Sequence, residues 1–150
     1  MIMSAAGDIL GLIKKWQPGA LSGELRYRNS LAEFLREQCK KDVRIETEYR
    51  HNGTTADIYL KLPGFFTSTE IFIELKFNLT KKGDFDRLIG QIEYLQPRKN
   101  FVFIVLCGKT DENFIHRLRE KYIAAEWVPT FAIHVVQSEQ STKVATARSS

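Results

Sequence analysis

Cysteine is nearly absent: Cys39 and Cys107 are the two in a chain of 150 residues. They stand far apart and form no C-x-x-C spacing. That excludes a thiolate metal knuckle and marks both as small apolar residues of a reducing compartment. Histidine is equally sparse, and because His51, His116 and His134 are scattered, a histidine-built zinc centre has no support. Long apolar runs are missing too. Nothing approaches the ~20 residues needed to span a bilayer, so no membrane partner is expected. The apolar stretch Ile9 to Ile13 carries Lys14 and Lys15 behind it rather than a charge ahead of it, the reverse of a secretory signal. It reads as a short amphipathic helix lying on the domain, and the default location is cytoplasmic. Neither sign of charge dominates: a net charge of +4 and a pI near 9.1 suit a polyanionic partner without requiring one.

What is present is ordinary for a globular protein, with 43% apolar and 27% charged residues. A chain of this length buries roughly two thirds of its unfolded surface. Residues 1–137 are therefore expected to form one domain, and the apolar-poor tail 138–150 to be disordered.

Periodicity divides that domain into elements. Pro18-Gly19 ends the first helical stretch, and Ser22 is the expected N-cap of the next, with Glu24 in its first turn where the helix dipole favours an anion. Tyr27, Leu31, Phe34 and Leu35 recur at helical spacing, predicting about four turns. Alternation over 43–49 predicts a half-exposed strand, and Asn52-Gly53 is a strong hairpin signal leading to a partner strand over 55–62. A third strand is expected over 71–77, the three forming an antiparallel meander. A helix follows from about Asp84 to Leu95, stopped by Pro97. The continuously apolar run 101–107 predicts a strand covered on both faces, in parallel pairing. A helix over about 111–126 and a strand over 131–136 complete the ordered part. The fold class is therefore α/β, an α-β-β-β-α-β core over about 22–107 with a mixed sheet flanked by helices. An N-terminal helix and a C-terminal helix-strand addition extend it.

Side chains alternate across a strand, which decides where chemistry can gather. Ile71, Ile73, Leu75 and Phe77 form one apolar face, leaving Glu74 and Lys76 on the other. Ile58, Leu60 and Leu62 share a face, leaving Asp57 opposite. If the two apolar faces agree, Asp57 falls beside Glu74 and Lys76. Two carboxylates buried together cost several kcal/mol unless an ion offsets them, and their hard oxygens suit Mg²⁺ or Mn²⁺. A lysine at i+2 of the same strand must share the carboxylate's face, next to any water such an ion polarises.

Asp57 followed by Glu74-x-Lys76 on a hydrophobic strand resembles the PD-(D/E)xK phosphodiesterase superfamily, with its restriction-endonuclease-like and Holliday-junction-resolvase-like nucleases. Ala56 stands where the proline of that name would be. The resemblance implies metal ligation by Asp57 and Glu74 and a catalytic role for Lys76. It implies also a first-helix glutamate and a second-helix glutamine. Glu24, on the face of Leu31 and Leu35, and Glu33, on a solvated face, are the two candidates for the first. Glu24 is preferred. Gln91, at the edge of its helix stripe, fits the second. Arg28, Arg87, Lys81 and Lys82 are candidate phosphate contacts, and DNA is the expected polymer.

Each residue also has an ordinary reading. Glu74 and Lys76 would serve equally as an exposed salt bridge worth under ~1 kcal/mol, and Glu24 as a charge at a helix start. The resulting expectation is a Mg²⁺-dependent nuclease acting on DNA, as a homodimer or within a larger complex if both strands are cut. The alternative is a catalytically inactive nucleic-acid-binding or assembly module on the same fold.

Overall fold

The computed structural model describes residues 5–123 and 130–136. The chain runs α1 (Ala5–Lys15), α2 (Glu24–Gln38), β1 (Arg44–His51), β2 (Thr54–Leu62) and β3 (Thr69–Phe77). It continues through α3 (Lys82–Leu95), β4 (Phe101–Cys107), α4 (Glu112–Tyr122) and β5 (Phe131–Val135). The five strands lie side by side in chain order in one mixed sheet. β1–β2 and β2–β3 pair antiparallel, whereas β3–β4 and β4–β5 pair parallel through the helical crossovers α3 and α4. The expected α-β-β-β-α-β order is present, and both end additions lie in the same structure.

The apolar pattern of β4 sets the layering. Phe103, Val105 and Cys107 face α1 and α2, where they meet Ile9, Ile13, Leu31 and Leu35. Val102, Ile104 and Leu106 face α3 and α4, where they meet Phe85, Leu88, Ile92, Phe114 and Leu118. A strand buried on both sides needs no polar alternation, which is why the run reads as continuously apolar. The β1–β2 turn is built by Asn52 and Gly53, both at positive φ (49° and 81°), the geometry that matches the twist of a two-residue hairpin.

Four expectations are corrected or left open. Ser22 is not the N-cap of α2: Gly23 holds that position in extended backbone with no side-chain cap. A nearby anion, Glu24, supplies the favourable interaction with the helix start instead. α3 begins at Lys82, ahead of the expected Asp84, with Gly83 accommodated in its first turn, where element bounds are least fixed by residue type. α4 ends at Tyr122 with Ile123 as its C-cap, not at the expected 126, and residues 124–126 and the 138–150 tail lie outside the described residues. No helix among the described residues is long and apolar enough to cross a membrane.

Candidate active site

The site begins with a break in strand alternation. On β2, Ile58 and Leu60 pack toward α2, yet Ala56, of the same parity, packs toward α3. β1 does the same: Ile45 lies with the first cluster and Tyr49 with the second. Both strands therefore switch face across one position, Glu48 on β1 and Asp57 on β2. The ladder pairs Thr47 with Ile58 and Tyr49 with Ala56, so the register is kept through the switch. Glu48 takes up the change with a left-handed φ of 54°.

This break determines what Asp57 can reach. Pairing between β2 and β3 ends at Ile58↔Ile73. One residue beyond, the Asp57 carboxylate substitutes for a backbone acceptor, its Oδ2 accepting from the Leu75 N–H at 2.8 Å. Asp57 is thus held toward β3, beside Glu74.

Glu74 is 2% exposed, the one buried charged residue of the described core. Burial first, then the neighbouring Asp57, pushes its carboxyl up to about 10, with Lys76 opposing the shift. Its Oε2 is buried and has no hydrogen-bond partner among the described residues. Glu24 completes the group from the first turn of α2. Burial raises its pKa most, Lys76 lowers it and Asp57 raises it, and the Phe77 N–H donates to it. One carboxylate oxygen from each of Glu24, Asp57 and Glu74 lies within 4.8 Å of the others. Glu33, the other first-helix candidate, is exposed and takes no part.

The donor set fits a divalent cation. All three ligands are hard oxygens, no histidine or cysteine joins them, and such a set favours Mg²⁺, Mn²⁺ or Ca²⁺ over zinc. Leaving a buried carboxylate oxygen without a partner costs ~1–3 kcal/mol or more. A cation beside it removes that cost and the repulsion among three acids.

A cleft of about 380 Å³ opens beside the carboxylates, lined by Glu24, Lys76, Phe77, Leu79, Asp84, Arg87 and Gln91. Lys76 and Gln91 therefore face one cavity with Glu24. The Gln91 Oε1 is likewise buried without a hydrogen-bond partner among the described residues. Of the candidate phosphate contacts, Arg87 lines the cleft and pairs with Asp84. Lys81 and Lys82 are exposed at the start of α3, Lys82 at 4.0 Å from Asp86. Arg28 stands apart from them. Its side chain is 13% exposed, and its guanidinium is engaged by Glu48 at 2.7 Å and by Asn29 at 3.2 and 3.3 Å. Two residues at the site escape sequence reasoning. Asp84 shows only as the expected start of a helix, and Glu48 shows no signal, since a glutamate gives no hint of a left-handed backbone.

No family model matches the chain, and no curated protein matches it. Among solved structures the chain is similar to Pyrococcus furiosus SfsA in complex with Ca²⁺, with a TM-score of 0.46 and 17% identity. The match covers 75% of this chain and 57% of that one, so the chain spans a little over half the length of the protein it matches.

Proposed function

We propose that this chain hydrolyses phosphodiester bonds of DNA with Mg²⁺ or Mn²⁺ held by Asp57, Glu74 and Glu24. The observation that carries the reading is the meeting of these three carboxylates around a nearly inaccessible Glu74, with Lys76 two residues along the same strand. Stability alone gives no reason to collect three acids where burial opposes their ionisation. When bound, the ion polarises a phosphoryl oxygen and lowers the pKa of a coordinated water.

The chain's own groups do the rest. The Leu75 N–H fixes Asp57, and the Phe77 N–H bonds Glu24, so two ligands are held by backbone rather than by mobile side chains. Lys76 orients the attacking water and offsets charge developing on the phosphate. Gln91 places an amide at the cleft wall, where it bonds the substrate or the water. Arg87, Lys81 and Lys82 stand along the start of α3 to take flanking phosphates. A homodimer would let two such centres cut opposite strands.

The test is cleavage of linear, circular and branched DNA in Mg²⁺ or Mn²⁺, run beside Asp57→Ala. The reading requires metal-dependent products from wild type that the variant does not form. Equal background from both proteins would contradict it.

A further inference from the structure

The hairpin joining β2 to β3 ends in two phenylalanines that the fold does not use. Phe65 and Phe66 are 95% and 91% exposed, their rings edge-to-face with centroids 4.7 Å apart. No other phenylalanine of the described chain is exposed. A Cβ at Gly64 would collide with the Thr67 carbonyl, so a glycine there lets the backbone close tightly without help from ring packing.

Cations surround the tip. Lys61, next to last in β2, lies opposite Arg44 in the ladder, with Lys40 and Lys41 leading into β1. Arg98 and Lys99 lead into β4, where Phe101 pairs with Ile71 of β3. Lys40, Lys41, Lys61, Arg98 and Lys99 are exposed and form no ion pair among the described residues. Of the nearby acids, Arg44 holds Glu46 and the Tyr59 hydroxyl holds Glu70, which leaves Glu37 and Asp42 to oppose the five cations.

Narrow aromatic tips flanked by cations complement a polyanion whose faces stack. We propose that Phe65 and Phe66 form a wedge that enters the base stack of duplex DNA while the flanking cations hold its phosphates. This rests on the nuclease reading given above. β2 itself links the two places, running from Asp57 to the hairpin. The six steps from Asp57 to Pro63 span ~20 Å at ~3.4 Å per residue. A duplex lying along β2 would then meet the wedge about six base pairs from the cut at ~3.4 Å per pair. Two rings on a hairpin tip offer too little apolar area for stable membrane anchoring, which takes a broad amphipathic face or two lipid signals.

The experiment places 2-aminopurine at successive positions of a 30-base-pair duplex. It uses full-length protein carrying Lys76→Ala in Mg²⁺, so that binding is read without cleavage. The expected result is a fluorescence rise at one step, unstacked by the wedge. Adding Phe65→Ala with Phe66→Ala should abolish the rise and weaken duplex binding about tenfold or more. Trp at both positions should preserve it. The wedge is overturned if the double alanine variant binds as tightly as its parent. It is equally overturned if the alanines instead abolish binding to phosphatidylserine vesicles, or self-association in sedimentation. If the parent binds no duplex, the nuclease reading itself fails and the wedge fails with it. Duplex binding by the Lys76→Ala parent without any rise, together with cleavage by wild type, condemns the wedge alone.

Discussion

Replacing Glu74 by Gln is expected to stabilise the metal-free protein at neutral pH, although it removes a buried charged residue. Glu74 is 2% exposed, and its carboxyl is pushed from its ordinary 4.5 up to about 10, chiefly by burial and secondly by Asp57. With the folded pKa raised, the stability this group contributes is complete below about pH 4.5 and declines as pH climbs toward 10. Between those limits the folded state keeps a proton that the unfolded state releases, which costs ~1.4 kcal/mol per pH unit. At pH 7.5, three units above the ordinary value, the cost is about 4 kcal/mol. An amide avoids it and still donates toward Asp57, as the protonated acid does. Urea unfolding in EDTA from pH 5.5 to 8.5 reads this directly. Wild type should lose stability relative to Glu74→Gln by ~1.4 kcal/mol per pH unit, ~4 kcal/mol across the range. Saturating Mn²⁺ should then raise the stability of wild type and leave the variant nearly unchanged. Parallel pH profiles for the two proteins in EDTA would refute the reasoning, because they would mean that Glu74 ionises freely in the fold.

Other substitutions separate holding the ion from using it. Lys76→Ala should lower the cleavage rate ~10²-fold or more while Mn²⁺ affinity by calorimetry stays within about threefold. Asp57→Asn keeps an acceptor for the Leu75 N–H and should unfold within ~1 kcal/mol of wild type. Asp57→Ala leaves that N–H unpartnered and should cost ~1–3 kcal/mol, and both variants should lose ion binding in the same calorimetric titration. Gly53→Ala forces a side chain onto a residue at φ 81° and should cost ~1–2 kcal/mol in urea unfolding, with cleavage per folded molecule unchanged.

The layering was legible because burial writes itself into residue type. β4 is apolar at every position since helices cover both its faces, and Asn52-Gly53 states its own turn. Glu24 could be preferred to Glu33 because the α2 stripe of Tyr27, Leu31 and Leu35 points one way, and Glu24 lies on its line. Asp57 is different. Parity from Ile58 and Leu60 puts it on the face of Glu74, but parity fails at that very residue, as Ala56 shows. The two acids meet through a ladder that ends and a carboxylate that caps Leu75, assisted by a left-handed Glu48 on the neighbouring strand. No residue pattern announces a glutamate at φ 54°, because its cost is local and its cause lies in three strands at once. The start of α2 departs from its residue types for a related reason. Ser22 is a good cap by type, but the path of the chain gives the position to Gly23.

The proposed chemistry requires Glu24, Asp57 and Glu74 to hold one divalent cation together. Anomalous diffraction from a crystal soaked in Mn²⁺ tests it most directly. A single strong peak about 2 Å from oxygens of Asp57 and Glu74, with Glu24 bound directly or through water, is the predicted result. Carboxylates left without a peak at saturating Mn²⁺, or a peak elsewhere on the molecule, would contradict it.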